Sequence, residues 1–167
     1  MEARTSLRDY QRDLAERLRS AQGSANASML GVQVDDEAWL VDLREAGEVI
    51  PVPPITPLPL TRPWFKGVTN IRGNLYSVVD FAAFLRKRPV APGDQPRLLL
   101  LGDRFHLGAA LLVDRSLGLR NPAQLERRKG ALPEWARAQY ADAEGRLWKE
   151  LDLTQLVQHP DFLGVGV

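Results

Sequence analysis

Chemistry needs a nucleophile, a base or a bound metal, and this chain of 167 residues is sparing with all three. It has no cysteine, which removes thiolate catalysis and disulfides, and only two histidines, His106 and His159. Neither histidine stands at metal-ligand spacing from acidic residues, and glycine-rich phosphate loops are absent. His106 falls in a strand pattern, where a packed or edge histidine is far commoner than a general base lacking an orienting acid. Asp80 and Asp152 could be paired as acid and base, yet each sits where a helix needs a side-chain acceptor for its first free amides. The capping role accounts for both, so the residues point to no catalytic group, no metal and no cofactor.

Arg72 is a different matter. It stands just before a tight turn, between apolar positions, where a guanidinium must be solvated or paired. Glu48 is the candidate partner: a bidentate pair would tie the turn to the strand before it and leave donors facing outward for recognition. The plainer alternative is a structural or unpaired surface arginine.

The element that must position these residues is Gly67 to Leu85, GVTNIRGNLYSVVDFAAFL. It reads as a β-hairpin running into a short helix. Gly73-Asn74 tolerates the positive φ of a two-residue turn, which makes it the expected turn pair. Leu75, Tyr76, Val78 and Val79 are apolar on both faces, the mark of a largely buried strand, and Asp80 then caps a helix carrying Phe81, Phe84 and Leu85. The same writing returns at a constant offset of 72, Gly145 against Gly73. Gly145, Leu147, Trp148, Leu151, Asp152, Leu153, Leu156 and Val157 match Gly73, Leu75, Tyr76, Val79, Asp80, Phe81, Phe84 and Leu85. Ala38 to Asp42 likewise echoes Ala110 to Asp114, with a two-residue shift in their true pairing left open. An internal duplication explains both echoes; chance similarity of strand-to-helix junctions is the alternative.

Length and an apolar content of 44% suit one domain or two small subdomains sharing a core. The longest apolar run, Leu98 to Leu101, is too short for a bilayer and no secretory signal opens the chain, so a cytoplasmic protein without membrane insertion is expected. A net charge of +1 gives no general attraction to nucleic acid. Residues 1–22 place Leu7, Tyr10, Leu14, Leu18 and Ala21 on one stripe of an amphipathic helix, which either docks on the body or is reserved for a partner. Gly23 to Asn26 is a linker.

Strands are expected at Met29–Val34 and Ala38–Leu43 across the loop Asp35-Asp36-Glu37, and again at Glu48–Ile50. Six prolines between Pro51 and Pro63 then enforce an extended crossing segment. Arg97–Leu101 and His106–Val113 read as paired strands, and Glu126 to Gly130 as a solvated loop whose basic cluster is weak evidence for phosphate binding. Trp135–Tyr140 and Arg146–Leu151 form the second hairpin, followed by a helix that Asp152 caps and Pro160 ends.

With these elements in place, GVTNIRGNLYSVVDF, REAGEVIPVPPITPLP upstream and LLVDRSLGLRN downstream resemble the CheW-like domain of bacterial chemosensory adaptors, over residues 29–157. The wording PWFKGVTNIRGNLYSVVDFAAF and the leading helix resemble the branch serving type IV pilus systems and twitching motility. The resemblance implies an all-β fold of two pseudo-symmetric five-stranded SH3-like β-barrels with short helices, as a domain over 27–167 behind a helical extension and linker at 1–26. It implies a non-catalytic scaffold between the regulatory domain of a CheA-like histidine kinase and the cytoplasmic tip of a methyl-accepting chemoreceptor, recruited to membrane-associated arrays. Ala46, Glu48, Gly67, Asn70, Arg72, Gly73 and Asn74 then fall at positions that couple these partners or hold that surface in shape. Ala46 replaces a larger aliphatic residue common in the family, and Gly47 a charged one. A barrel that binds nucleic acid or peptide outside chemosensory signalling is the rival reading, and would need exposed stacking aromatics where Trp39, Tyr76, Trp135 and Trp148 read as internal.

Overall fold

The computed structural model describes residues 7–15, 29–91, 93 and 95–166. A helix, α1, covers 7–15. The strands are β1 Met29–Val34, β2 Glu37–Asp42, β3 Ala46–Pro51, β4 Phe65–Ile71, β5 Asn74–Asp80, β6 Arg97–Leu101, β7 Ala109–Val113, β8 Arg115–Arg120, β9 Glu126–Arg128, β10 Ala136–Ala141 and β11 Leu147–Leu151. Short helices α2 Phe81–Phe84, α3 Leu153–Gln158 and α4 Pro160–Leu163 follow the two hairpins.

The strands form two sheets, ordered β8-β1-β2-β11-β10-β9 and β3-β6-β7-β5-β4. Replacing β1, β2, β3, β4 and β5 by β6, β7, β8, β10 and β11 turns one order into the other, apart from the added edge strand β9. The duplication is therefore structural, and it is exchanged: β1 and β2 complete the sheet of the second half, while β6 and β7 complete that of the first. Two parallel junctions, β2 with β11 and β5 with β7, make the exchange. They differ by the shift left open above. Trp148 lies opposite Ala38, but it is Val78 rather than Tyr76 that lies opposite Ala110.

The near-continuous apolar runs of β6 and β7 follow from burial on both faces. Leu99, Leu101, Leu111 and Val113 enter a central cluster drawn from both sheets and α2 to α4, while Leu98, Leu100, Ala110 and Leu112 enter a second cluster on the opposite face. A third cluster surrounds Trp148 with Ala38 and Leu40. Each fully buried Leu or Val contributes about 1.5–3 kcal/mol, so the strands supplied by the opposite half carry much of each cluster's stability.

Both hairpins end alike. Asp80 accepts a hydrogen bond from the Ala83 amide at 3.0 Å, and Asp152 one from Gln155 at 3.1 Å, so both aspartates are helix caps. The amides of Asp80 and Asp152 donate to the carbonyls of Trp64 and Trp135. In β4 and β10 the register slips by one residue, bulging out Lys66 and Arg137. The bulges aim both cations at the cap carboxylates, Lys66 at 4.0 Å from Asp80 and Arg137 at 3.4 Å from Asp152.

Several local expectations are corrected. The central turn pair is Arg72-Gly73, with φ of 52° and 86°, while Asn74 already pairs with Ile71; the Asn70 side chain accepting from the Gly73 amide fixes that register. Leu75 is exposed and Tyr76 half-buried, because only the second half of β5 runs beside β7. Glu37 belongs to β2, which leaves a two-residue turn at Asp35-Asp36. His106 is not in a strand; it closes a 3-10 turn, Asp103–Phe105, in the left-handed region. Glu126–Arg128 pairs with β10 as an exposed edge strand, not a loop. Pro160 ends α3 and also opens α4, where a missing amide costs nothing. The stripe of α1 does not dock: Leu7, Tyr10 and Leu14 are exposed, and Leu18 and Ala21 lie outside the described residues. Among the described residues no helix is long and apolar enough to cross a membrane.

Candidate functional site

The hairpin turn and β3 are brought together by two local irregularities. Gly47 is the extra residue of a bulge in β3, with Ala46 opposite Leu101 and Glu48 opposite Leu100, and this re-aims Glu48. The turn holds Arg72 in a left-handed conformation that brings its guanidinium to the same place. Nη1 of Arg72 donates to Oε1 of Glu48 at 3.1 Å and Nη2 to Oε2 at 2.5 Å, a bidentate pair. The guanidinium holds the Glu48 carboxyl below the usual carboxylate range, and the carboxylate raises Arg72 in turn. Both side chains are open to water, 65% and 43% exposed, and pairs of that kind stabilise a fold little. What the pair fixes is geometry: a planar, mixed-charge tile on the surface.

Asn70, Gly73 and Asn74 surround the tile and are exposed. Two of the seven candidates are not on the surface. Ala46 is buried in the central cluster, and Gly67 is buried beneath the proline-rich segment at φ +134°. A Cβ on Gly67 would stand 2.0 Å from the Thr56 carbonyl, so only glycine lets Thr56 and Val68 exchange their two backbone hydrogen bonds. Both residues lie in the interior beneath that surface.

A shallow trough leads away from the tile. A recess of about 280 Å³ between Gly47, Glu48, Arg72, Asn74, Tyr76 and Asp103 adjoins one of about 450 Å³ that adds Leu75, His106 and Leu107. Next comes a recess of about 340 Å³ between the 3-10 turn and α3. Exposed Leu75 and Leu107 give the trough an apolar stretch. Sequence reasoning did not select them, because Leu75 sits in a run that reads as buried strand and Leu107 in a stretch that reads as strand. His106 lines the trough and is exposed, with no acid oriented on it among the described residues.

A second charged constellation is structural. Arg137 reaches Glu45 at 3.1 Å, Asp152 at 3.4 Å and Glu150 at 3.8 Å, bolting the β2–β3 turn to the second hairpin. Burial pushes the Glu150 carboxyl up, whereas the Arg44 side chain holds Asp42 down. No group of His, Cys, Asp or Glu among the described residues is arranged to hold a metal ion. Of the four aromatics expected inside, Trp39 and Trp148 are each 1% exposed and offer no face for stacking on bases, whereas Tyr76 and Trp135 are only half-buried.

The architecture is thus two pseudo-symmetric β units with exchanged strands, with the exposed Glu48–Arg72 pair presented at the first hairpin turn. The CheW-like domain model matches residues 28–161, and the chain belongs to that family. Among its relatives is protein PilI of Pseudomonas aeruginosa, 28% identical over 146 residues, which cover 84% of this chain and 80% of PilI. Chemotaxis protein CheW of Thermotoga maritima is 29% identical over 92 residues, 54% of this chain and 59% of that protein. The fold is shared with the crystal structure of the scaffolding protein TtCheW from Thermoanaerobacter tengcongensis, at a TM-score of 0.64 and 15% identity, over 75% of this chain and 88% of TtCheW.

Proposed function

We propose that this protein is a non-catalytic scaffold that couples the cytoplasmic tip of a chemoreceptor to the regulatory domain of a CheA-like histidine kinase, within a cytoplasmic array that controls type IV pilus motility. The pilus assignment rests on the similarity to PilI. The observation that carries the coupling role is the Glu48–Arg72 tile and the apolar trough beside it, an exposed and geometrically fixed surface with little stabilising work to do. A receptor's helical hairpin lays its apolar residues against Leu75 and Leu107, and its polar rim meets Arg72, Asn70 and Asn74. Moderate affinity at each contact suffices, because tethering raises the effective concentration of the next one.

The test uses the full chain, a receptor-tip fragment and the kinase regulatory domain, with binding measured by calorimetry. Arg72→Glu is expected to weaken receptor capture about tenfold or more, while kinase binding and the urea midpoint stay unchanged. Undiminished capture by Arg72→Glu would remove the tile from the interface. Failure of the unaltered chain to bind either partner would end the scaffold reading.

A further inference from the structure

The two pseudo-equivalent bulges carry unequal loads. In the first half Lys66 faces one carboxylate, Asp80, at 4.0 Å. In the second, Arg137 faces three: Glu45 at 3.1 Å, Asp152 at 3.4 Å and Glu150 at 3.8 Å. Glu45 and Glu150 are each 5% exposed, so water does little to make up the deficit. Asp42 beside them is also buried, but Arg44 donates to both of its oxygens. Oε2 of Glu45 is buried without a hydrogen-bond partner among the described residues, and Arg137 Nε stands beyond hydrogen-bond reach of Glu150. At the place of Glu150 in the first half, 72 residues back, stands Val78, which is fully buried. The position therefore suits an apolar side chain, and an ionised carboxylate there works against the fold.

This excess of buried carboxylate sits at the joint between the halves. Glu45 ends the β2–β3 turn, which continues through Ala46 and the bulged Gly47 to Glu48, and its carbonyl accepts from the Gly102 amide at 2.9 Å. The charged and titratable groups around Glu150 are Asp42 on β2, Glu45 in the turn, Arg137 and Tyr140 on β10, and Arg127 on β9.

We propose that the joint is a proton-held latch: Glu45 and Glu150 share one proton beside Arg137 while the β2–β3 turn is fastened to the second hairpin, and loss of that proton loosens the turn. With the proton in place one carboxyl is neutral and gains an O–H donor, which leaves Arg137 a single buried carboxylate, as Lys66 has in the first half. Without it, two buried carboxylates and the half-solvated Asp152 compete for one guanidinium. Burial pushes the Glu150 carboxyl up; Asp42 and Glu45 add to the push, and Arg137 and Arg127 oppose it. A carboxyl raised in the fold contributes stability that is full below its ordinary pKa and is lost as pH rises through the raised value, opposite in sign to Glu48. The latch is independent of the receptor assignment.

The test uses the full-length chain. Carbon-detected NMR titration should find one glutamate carboxyl titrating above the ordinary value of about 4.3, and Glu150→Gln should remove it. In urea midpoints Glu150→Gln should match the unaltered chain at low pH and exceed it above the raised value, by about tenfold in the folding constant for each unit of the shift. Over the same range the Gly102 amide should exchange with deuterium faster than the ordinary base-catalysed rise, and Glu150→Gln should remove that excess. If every glutamate of the unaltered chain titrates at or below the ordinary value, the proposal is overturned without recourse to a variant. So it is if Glu150→Gln loses most stability at high pH, the mark of a permanent ion pair with Arg137, or if Gly102 shows no excess exchange.

Discussion

At the first hairpin, Glu48 and Arg72 bind each other in the open; at the same places in the second half, 72 residues on, stand Arg120 and Glu144, with the charges reversed. The second pair does not close. Arg120 instead lies over the face of Trp148, 5.0 Å from the ring centroid, with Arg146 also over that ring at 5.2 Å. Trp148 replaces Tyr76, and its Nε1 donates to Asp142 at 3.1 Å. A large ring has drawn the second half's arginines into covering a core. The smaller, half-buried Tyr76 leaves the first half's arginine free to present a turn. One design has thus been spent on packing in one place and on exposure in the other.

This contrast can be broken at its ends. Trp148→Ala should destabilise the fold by about 3–5 kcal/mol, and Tyr76→Ala by only about 1–2, read from urea midpoints. Equal losses would mean that the two hairpins do the same structural work. Gly67→Ala should cost roughly 3 kcal/mol, since the new Cβ must push Thr56 off β4. At the helix caps, Asp80→Ala should cost about 2–3 kcal/mol and Asp152→Ala about 1. Asp80 is fully buried and also accepts from the Val90 amide at 2.9 Å, whereas Asp152 is partly solvated.

The smallest effect concerns the tile. Arg72 lowers the Glu48 pKa, so the pair's contribution is present above the ordinary carboxylate pKa and is lost as pH falls through the lowered value. In Arg72→Ala, carbon-detected NMR titration should find the Glu48 carboxyl back at its ordinary value, with the urea midpoint unmoved. An unshifted titration would show that the pair is not formed in solution.

Much of the scaffold was legible because its signals are local. Asp80 and Asp152 announce helix caps by position alone, and the repeated Gly, Leu and Asp spacing reveals the duplication. The Glu48–Arg72 pair was legible as a candidate because a guanidinium beside a tight turn needs a partner. The trough was not legible: Leu75 looks like any strand leucine until it is known that β7 runs beside only the second half of β5. His106 was misplaced because FHLGAALLV reads as an unbroken β run, and only backbone geometry shows the left-handed residue that ends the 3-10 turn.

The chain's own spelling determined most of its strands, the existence of its two hairpins, its helix caps and its family, since these depend on periodicity and on residues a few positions apart. Tertiary structure alone decided that β2 joins β11 and β7 joins β5, exchanging strands between the halves. It also decided which of two charge-reversed pairs closes. Those outcomes depend on burying both faces of strands far apart in sequence and on whether a ring as large as Trp148 competes for the arginine, and no local pattern records either.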